Sequence, residues 1–123
     1  MKLKKIKKQN PLNRAEEKFY LIPGFAGELK LSDLAETLSD ACTLNVADIT
    51  AVLEALTKRM PWYLENGFII QLGSLGRMKL SISSKGQDDE KNLTAADVKK
   101  TRVIFTPSAE IKRRIASTSF SVE

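Results

Sequence analysis

The sequence predicts an α+β fold: two helices, an antiparallel three-stranded sheet, and a short closing helix. Three observations carry this. Apolar residues recur at helical spacing between Leu31 and Tyr63. A strand-like run, Phe68-Ile69-Ile70-Gln71-Leu72, then enters Gly73-Ser74-Leu75-Gly76. An alternating run follows, with Met78, Leu80 and Ile82 on one side and Arg77, Lys79, Ser81 and Ser83 on the other. Last comes a third strand, Arg102-Val103-Ile104-Phe105, after which Thr106-Pro107 opens a helix carrying Lys112-Arg113-Arg114.

Ahead of the helices, Leu3 to Lys8 and Lys18 to Ile22 read as extended segments around a turn signal, Asn10-Pro11-Leu12-Asn13. Residues 1–28 therefore read as a basic N-terminal β extension, its first run an edge strand, and residues 29–123 as the main domain. Pro23-Gly24 and Gly27 loosen the junction. The first helix is expected from Ser32 to Ala41, with Ser32 as N-cap and Leu31, Leu34, Ala35, Leu38 and Cys42 on one face. Cys42, at the end of that face, is expected to be packed and inert.

The second helix begins near Asn45, whose spacing to Asp48 is that of a capping box. Val46, Ile49, Leu53, Leu56, Met60 and Tyr63 recur at three and four, and Val52 and Ala55 widen the stripe. Pro61 lacks a backbone donor and predicts a kink or break at Met60-Pro61. Asn66-Gly67 supplies the stop. The stripe is wider than one small layer needs, which points to a second copy packing on Ile49, Val52, Leu53, Leu56, Met60 and Tyr63. The alternative is a wide stripe packed between the first helix and the sheet. Trp62 and Tyr63 read as core or interface anchors. Residues 84–101 are polar, with Asp88-Asp89-Glu90 at the centre, and read as an arm or long loop between two hairpin strands.

Composition narrows the function. The 123 residues suit one domain with an appendage, and 42% hydrophobic with 28% charged residues suits a soluble globular chain. No apolar run is long enough for a bilayer, and the basic start has no apolar segment behind it, so a secretion signal is not expected. The lone Cys42 suits a reducing cytoplasm. Residues 1–20 hold seven Lys/Arg and two Glu, which accounts for the whole net charge of +5. Such a segment attracts phosphate without reading sequence. The chain has no histidine, no paired acids stand out, and it has no phosphate-loop, metal-ligand or nucleophile motif, so neither an enzyme nor a cofactor, metal or small-molecule substrate is expected.

The order helix, helix, strand, glycine turn, strand, arm, strand, basic helix resembles the bacterial histone-like HU/IHF family of DNA-bending dimers. Leu72-Gly73-Ser74-Leu75-Gly76-Arg77-Met78 is similar to the family's glycine turn, although Leu75 and Met78 stand where an aromatic is usual. Ile104-Phe105-Thr106-Pro107 with Glu110-Ile111-Lys112 is similar to its strand-to-helix close. Leu31-Ser32-Asp33-Leu34-Ala35 and the run from Ala47 to Leu56 fit its two opening helices. The resemblance covers about residues 29–116, with a lengthened N-terminus and a reduced arm. It implies an IHF-like DNA-binding fold with a β-arm, a homodimer, and weakly selective binding of double-stranded DNA through backbone contacts in a cytoplasmic nucleoid. Family arms carry several arginines and a wedging proline; residues 84–101 have neither.

Under this reading the candidate DNA-binding residues are Lys2, Lys4, Lys5, Lys7 and Lys8 of the extension, Lys79, Lys85, Lys99, Lys100 and Arg102 on or beside the arm strands, and Lys112, Arg113 and Arg114 of the last helix. Gly73 and Gly76 serve backbone geometry first, and their N–H groups could also meet a phosphate. Against each lysine stands the plainer reading of a solvated face, and the terminal cluster would suit a helix C-terminus without any DNA. A dimeric scaffold for proteins, favoured by the acidic arm tip, is the competing function. A helix-turn-helix regulator lacks a row of Arg, Asn or Gln on either early helix.

Overall fold

The lysine-rich start of the chain pairs into a long hairpin. In the computed structural model, which describes residues 1–123, β1 (Lys2–Asn10) and β2 (Asn13–Gly24) run antiparallel from Lys2↔Gly24 to Gln9↔Glu17. The turn is set by two asparagines: Asn10 Oδ1 accepts the Leu12 N–H at 3.0 Å and Asn13 Oδ1 accepts the Ala15 N–H at 3.2 Å. Lysine stems cover aromatic rings along the ribbon. Lys7 Nζ stands 5.8 Å from the Phe19 ring centroid and Lys8 Nζ 5.9 Å from that of Tyr20. Strand β2 continues through Pro23-Gly24 rather than loosening there.

Near the end of the chain, β6 (Ser121–Val122) returns to lie parallel to the start of β1, giving the strand order β2-β1-β6. Over Lys2 and Leu3 the first strand is thus central in its sheet, and only from Lys4 onward is it the edge strand that its position at the terminus suggested. Deleting it would remove the partner of both neighbours.

Helix α1 (Leu31–Ala41) is capped two residues earlier than the expected Ser32. Lys30 occupies the cap position in extended backbone, and its N–H is taken by the Asp33 carboxylate at 2.9 Å. Helix α2 (Val46–Glu65) is capped as its sequence indicates, with Asn45 Oδ1 accepting the Asp48 N–H at 2.9 Å. The helix does not break at Met60-Pro61; Pro61 lies inside it and one intrahelical hydrogen bond is forgone. It ends where Gly67 turns to φ +83 and Asn66 Nδ2 donates to the Trp62 carbonyl at 2.7 Å. The Phe68 N–H is still bonded to the Tyr63 carbonyl, so β3 contains only Ile70–Gln71 instead of the whole Phe68–Leu72 run.

The second sheet has the order β3-β4-β5, with β4 (Gly76–Ser84) and β5 (Val98–Pro107) antiparallel from Gly76↔Pro107 to Ser84↔Val98. Helix α3 (Ala109–Ala116) follows, capped by Ser108 rather than opened by Thr106-Pro107, which still belong to β5. Only Ala35, Ile49 and Leu64 are buried apolar side chains, so the core lies along the α1–α2 contact and is small.

The expected arm takes a different form. The β4–β5 ladder stops at Ser84, and the chain folds back through two 3₁₀ turns, Glu90–Asn92 and Ala95–Asp97. Asp97, only 9% exposed, organises the return. Its carboxylate accepts the Thr94 N–H at 2.9 Å and Gln87 Nε2 at 3.1 Å, and its carbonyl accepts the Lys85 N–H at 2.8 Å. Residues 85–97 form a closed loop and not a two-stranded ribbon.

Candidate nucleic-acid interface

Cross-strand partners share a face of a sheet, so the register assigns each cation a side. On β4 and β5, Arg77, Lys79, Ser81 and Ser83 stand opposite Thr106, Ile104, Arg102 and Lys100. Arg77, Lys79, Lys100 and Arg102 thereby share one face. Met78, Leu80 and Ile82 share the other with Phe105, Val103 and Thr101. Lys99 is the extra residue where the register slips between Ser83↔Lys100 and Ser84↔Val98, so it has no partner on β4, and Lys85 lies in the loop. None of these cations forms an ion pair; the two ion pairs of the molecule are Lys7–Glu17 at 2.6 Å and Lys18–Glu16 at 3.8 Å.

At the root of this hairpin the glycine turn and α3 are joined by Ser108. Its hydroxyl donates to the Ser74 carbonyl and accepts the Ile111 N–H, and its own N–H reaches the Leu75 carbonyl at 3.2 Å. Gly73 has φ +60 and Gly76 φ +148. A Cβ at Gly76 would collide with the Thr106 carbonyl and press on the Phe105 ring, so glycine is required by the close approach of β5. An open cleft of about 360 Å³ results, with Gln71, Gly73, Gly76, Arg77 and Lys112 on its walls. It unites Gly73, Gly76 and Lys112; Arg113 and Arg114 lie farther along, in the last turn of α3, outside it. Arg77 was missed by sequence reasoning, although the alternation already put it beside Lys79.

On the ribbon, Lys2, Lys4 and Lys8 share a face with Lys18, Tyr20 and Ile22, whereas Lys5 and Lys7 share the opposite one with Leu3, Phe19 and Leu21. Lys18 was also missed; only the register, which puts it opposite Lys8, identifies it. Glu17 neutralises Lys7. The Lys7 ammonium, and then the Gln9 amide, hold the Glu17 carboxyl below the ordinary carboxylate range.

The α2 stripe is largely uncovered. Val52 (60% exposed), Leu56 and Tyr63 face solvent, Leu53 and Met60 are half-buried, and Ile49 is buried. Beside them an open apolar groove of about 330 Å³ runs between the helices, walled by Leu38, Cys42, Leu44, Ile49, Val52 and Leu53. Cys42 is exposed on this groove instead of packed away. Trp62 is exposed too. It meets Tyr63 edge-on at 5.4 Å, and Tyr63 meets Phe68 at 6.2 Å, so these rings form a surface cluster and not a core.

Two helices packed on one another, a glycine-rooted hairpin with one basic face, and a short capped helix define an HU-type domain. The chain belongs to the HU-HIG family, described as an HU domain fused to wHTH, Ig, or glycine-rich motif, whose pattern matches residues 1–122. The match takes in the N-terminal ribbon, beyond the 29–116 span of the resemblance. Among solved structures, the chain is similar to a crystal structure from Bacteroides vulgatus ATCC 8482, provisionally described as a bacterial DNA binding protein. That likeness has a TM-score of 0.63 at 14% identity and covers 98% of this chain. The chain spans 47% of that protein's length. No curated protein matches the sequence. No helix is long and apolar enough to cross a membrane.

Proposed function

We propose that this protein is a homodimeric, architectural binder of double-stranded DNA, associated with the nucleoid in the cytoplasm, that grips the phosphate backbone with weak sequence selectivity. The observation that carries this reading is the sorting of unpaired cations onto one face of the β4–β5 hairpin, within an HU-type domain. Phosphate contacts need positive charge without base-reading geometry, and the face offers two lysines and two arginines with no row of amides. Gly73, Gly76 and Lys112 extend this surface around the cleft, and Lys85, Lys99, Arg113 and Arg114 add charge nearby. Lys2, Lys4, Lys5, Lys7 and Lys8 take over part of the electrostatic task, since residues 1–28 act as a basic extension to the main domain of residues 29–123.

Fluorescence anisotropy on a random duplex tests the reading. Affinity falls steeply with salt, with a logarithmic slope of about −0.9 per phosphate contact, and sequence changes matter little. A flat slope, or no binding at low salt, moves the protein-scaffold reading ahead. That reading has one observation of its own, the closed acidic loop around Asp88, Asp89 and Glu90.

The dimer rests on the exposed α2 stripe, which one chain leaves in water. Its interface comprises Ile49, Val52, Leu53, Leu56, Met60 and Tyr63, with Ile49 at the floor. Leu56→Asp puts an unpaired charge into that interface and costs several kcal/mol of association, about a thousandfold or more. Light scattering checks it: the wild type at tens of micromolar, roughly the working range for such an assembly, runs as a dimer and the variant as a monomer.

A further inference from the structure

The ribbon has a form that mere attachment to the domain does not require. Beyond Leu3, where β6 ends, it is two strands wide with both edges open. From Lys4 to Asn10 it projects roughly 20 Å at the usual rise of a strand. Its two faces differ in charge. One carries Lys2, Lys4, Lys8 and Lys18, with Glu16 as the acid nearest Lys18; the other carries Lys5 and a Lys7 already bound to Glu17. The tip is Pro11-Leu12, and Leu12 is 95% exposed, the highest value among the large hydrophobic residues. The tip is also held firmly. Asn10 Nδ2 donates to Glu16 at 3.0 Å and Gln9 Nε2 to Glu17 at 3.1 Å, in addition to the two asparagine turns. A connecting turn needs only polar residues; a hydrogen-bonded turn that presents proline and leucine to water leaves their burial to be gained on contact with a partner. Phosphates complement the lysine face, and apolar Pro and Leu side chains are among those that enter the minor groove and part base steps.

We infer that the β1–β2 ribbon is a DNA-inserting arm: its Lys2–Lys4–Lys8–Lys18 face lies on duplex phosphates while Pro11-Leu12 wedges into a base step and bends the DNA. The inference rests on the DNA-binding reading above and narrows it, because the lysines of β1 then contribute unequally.

Two double variants with the same change in net charge separate face from charge. K4Q/K8Q lowers duplex affinity about tenfold at low salt and reduces the salt slope by about 0.9 for each phosphate no longer neutralised, whereas K5Q/K7Q, on the face where Glu17 already holds Lys7, lowers it only about threefold. Circular dichroism verifies that both keep the fold. For the tip, a duplex labelled at its two ends shows increased energy transfer on binding wild-type protein. L12S, which keeps Pro11 and the asparagine turns, returns the transfer to that of free DNA with the salt slope unchanged. Binding with equal losses for the two lysine pairs, or with no loss for either, overturns the arm while leaving DNA binding intact. So does a wild type that binds without bending, or an L12S variant that bends as well as wild type. A wild type that does not bind the duplex at low salt overturns the DNA reading itself, and the arm with it.

Discussion

The β1–β2 ribbon and the β4–β5 hairpin are both long antiparallel pairs, and they end in opposite ways. The first closes in a two-residue apolar turn and leaves its cations on open strands. The second ends in a loop that folds back around a nearly buried Asp97, whose carboxylate accepts from Thr94 and Gln87. Residues 84–101 hold four lysines and four acids, so their charges cancel; the excess lies in the ribbon. Charge count alone would make the ribbon uniformly basic. Register shows that the excess is concentrated on one side, because Lys7 is spent on Glu17. What distinguishes a surface ready for a partner from one that is self-satisfied is where each polar atom finds its bond, not how many charges the segment contains.

The strongest way to break the comparison is at the root of the second hairpin. Gly76→Ala adds a Cβ against the Thr106 carbonyl at a φ that side chains rarely adopt. The cost is about 3 kcal/mol or more, and thermal melting reads it as a large drop in Tm. Next is the closed loop. Asp97→Ala strands the Thr94 N–H and the Gln87 amide and costs about 2 kcal/mol. Amide exchange at Thr94 and Lys85 accelerates, while exchange in the β1–β2 ribbon is unchanged.

The smallest effect sharpens the first hairpin. Glu17 titrates below its unfolded value because Lys7 and Gln9 bond its carboxylate. A depressed folded pKa contributes stability above the unfolded carboxylate pKa and loses it as pH falls through the folded pKa. Acidification through and below the carboxylate range should therefore loosen the ribbon slightly. Amide exchange along β1 registers the change, and Glu17→Gln removes that pH dependence.

Much of this was legible in the residues. The helices, the glycine turn, the N-cap at Asn45 and the turn at Pro11-Leu12 follow from local chemistry that acts over a few positions. What was not legible depends on distant partners. Nothing near Val122 announces that it will pair with Leu3, so β1 read as an edge along its whole length, its first residues included. Asp97 looked like one more solvated acid in a polar stretch, and only its bonds to Thr94 and Gln87 make it the centre of a loop. Pro61 suggested a break because its missing donor is visible in the sequence, whereas the rest of the helix that carries it through is a cooperative property. On the site, alternation sorted Lys79 with Arg77. Leaving Lys99 unpaired beside Lys100, or adding Lys18 to Lys8, needed the register itself.

The parallel seating of β6 on β1 has a mechanical consequence. The Met1 ammonium donates to the Ser119 carbonyl at 2.9 Å, the Ser121 N–H to the Met1 carbonyl at 3.1 Å, and the Glu123 N–H to the Leu3 carbonyl at 3.1 Å. Because the two strands point the same way, tension drawn between the two ends slides one along the other. The bonds are then loaded in shear and resist together, instead of opening in turn like a zipper. Force arriving at residue 123 is delivered straight to β1, the strand that carries the lysines.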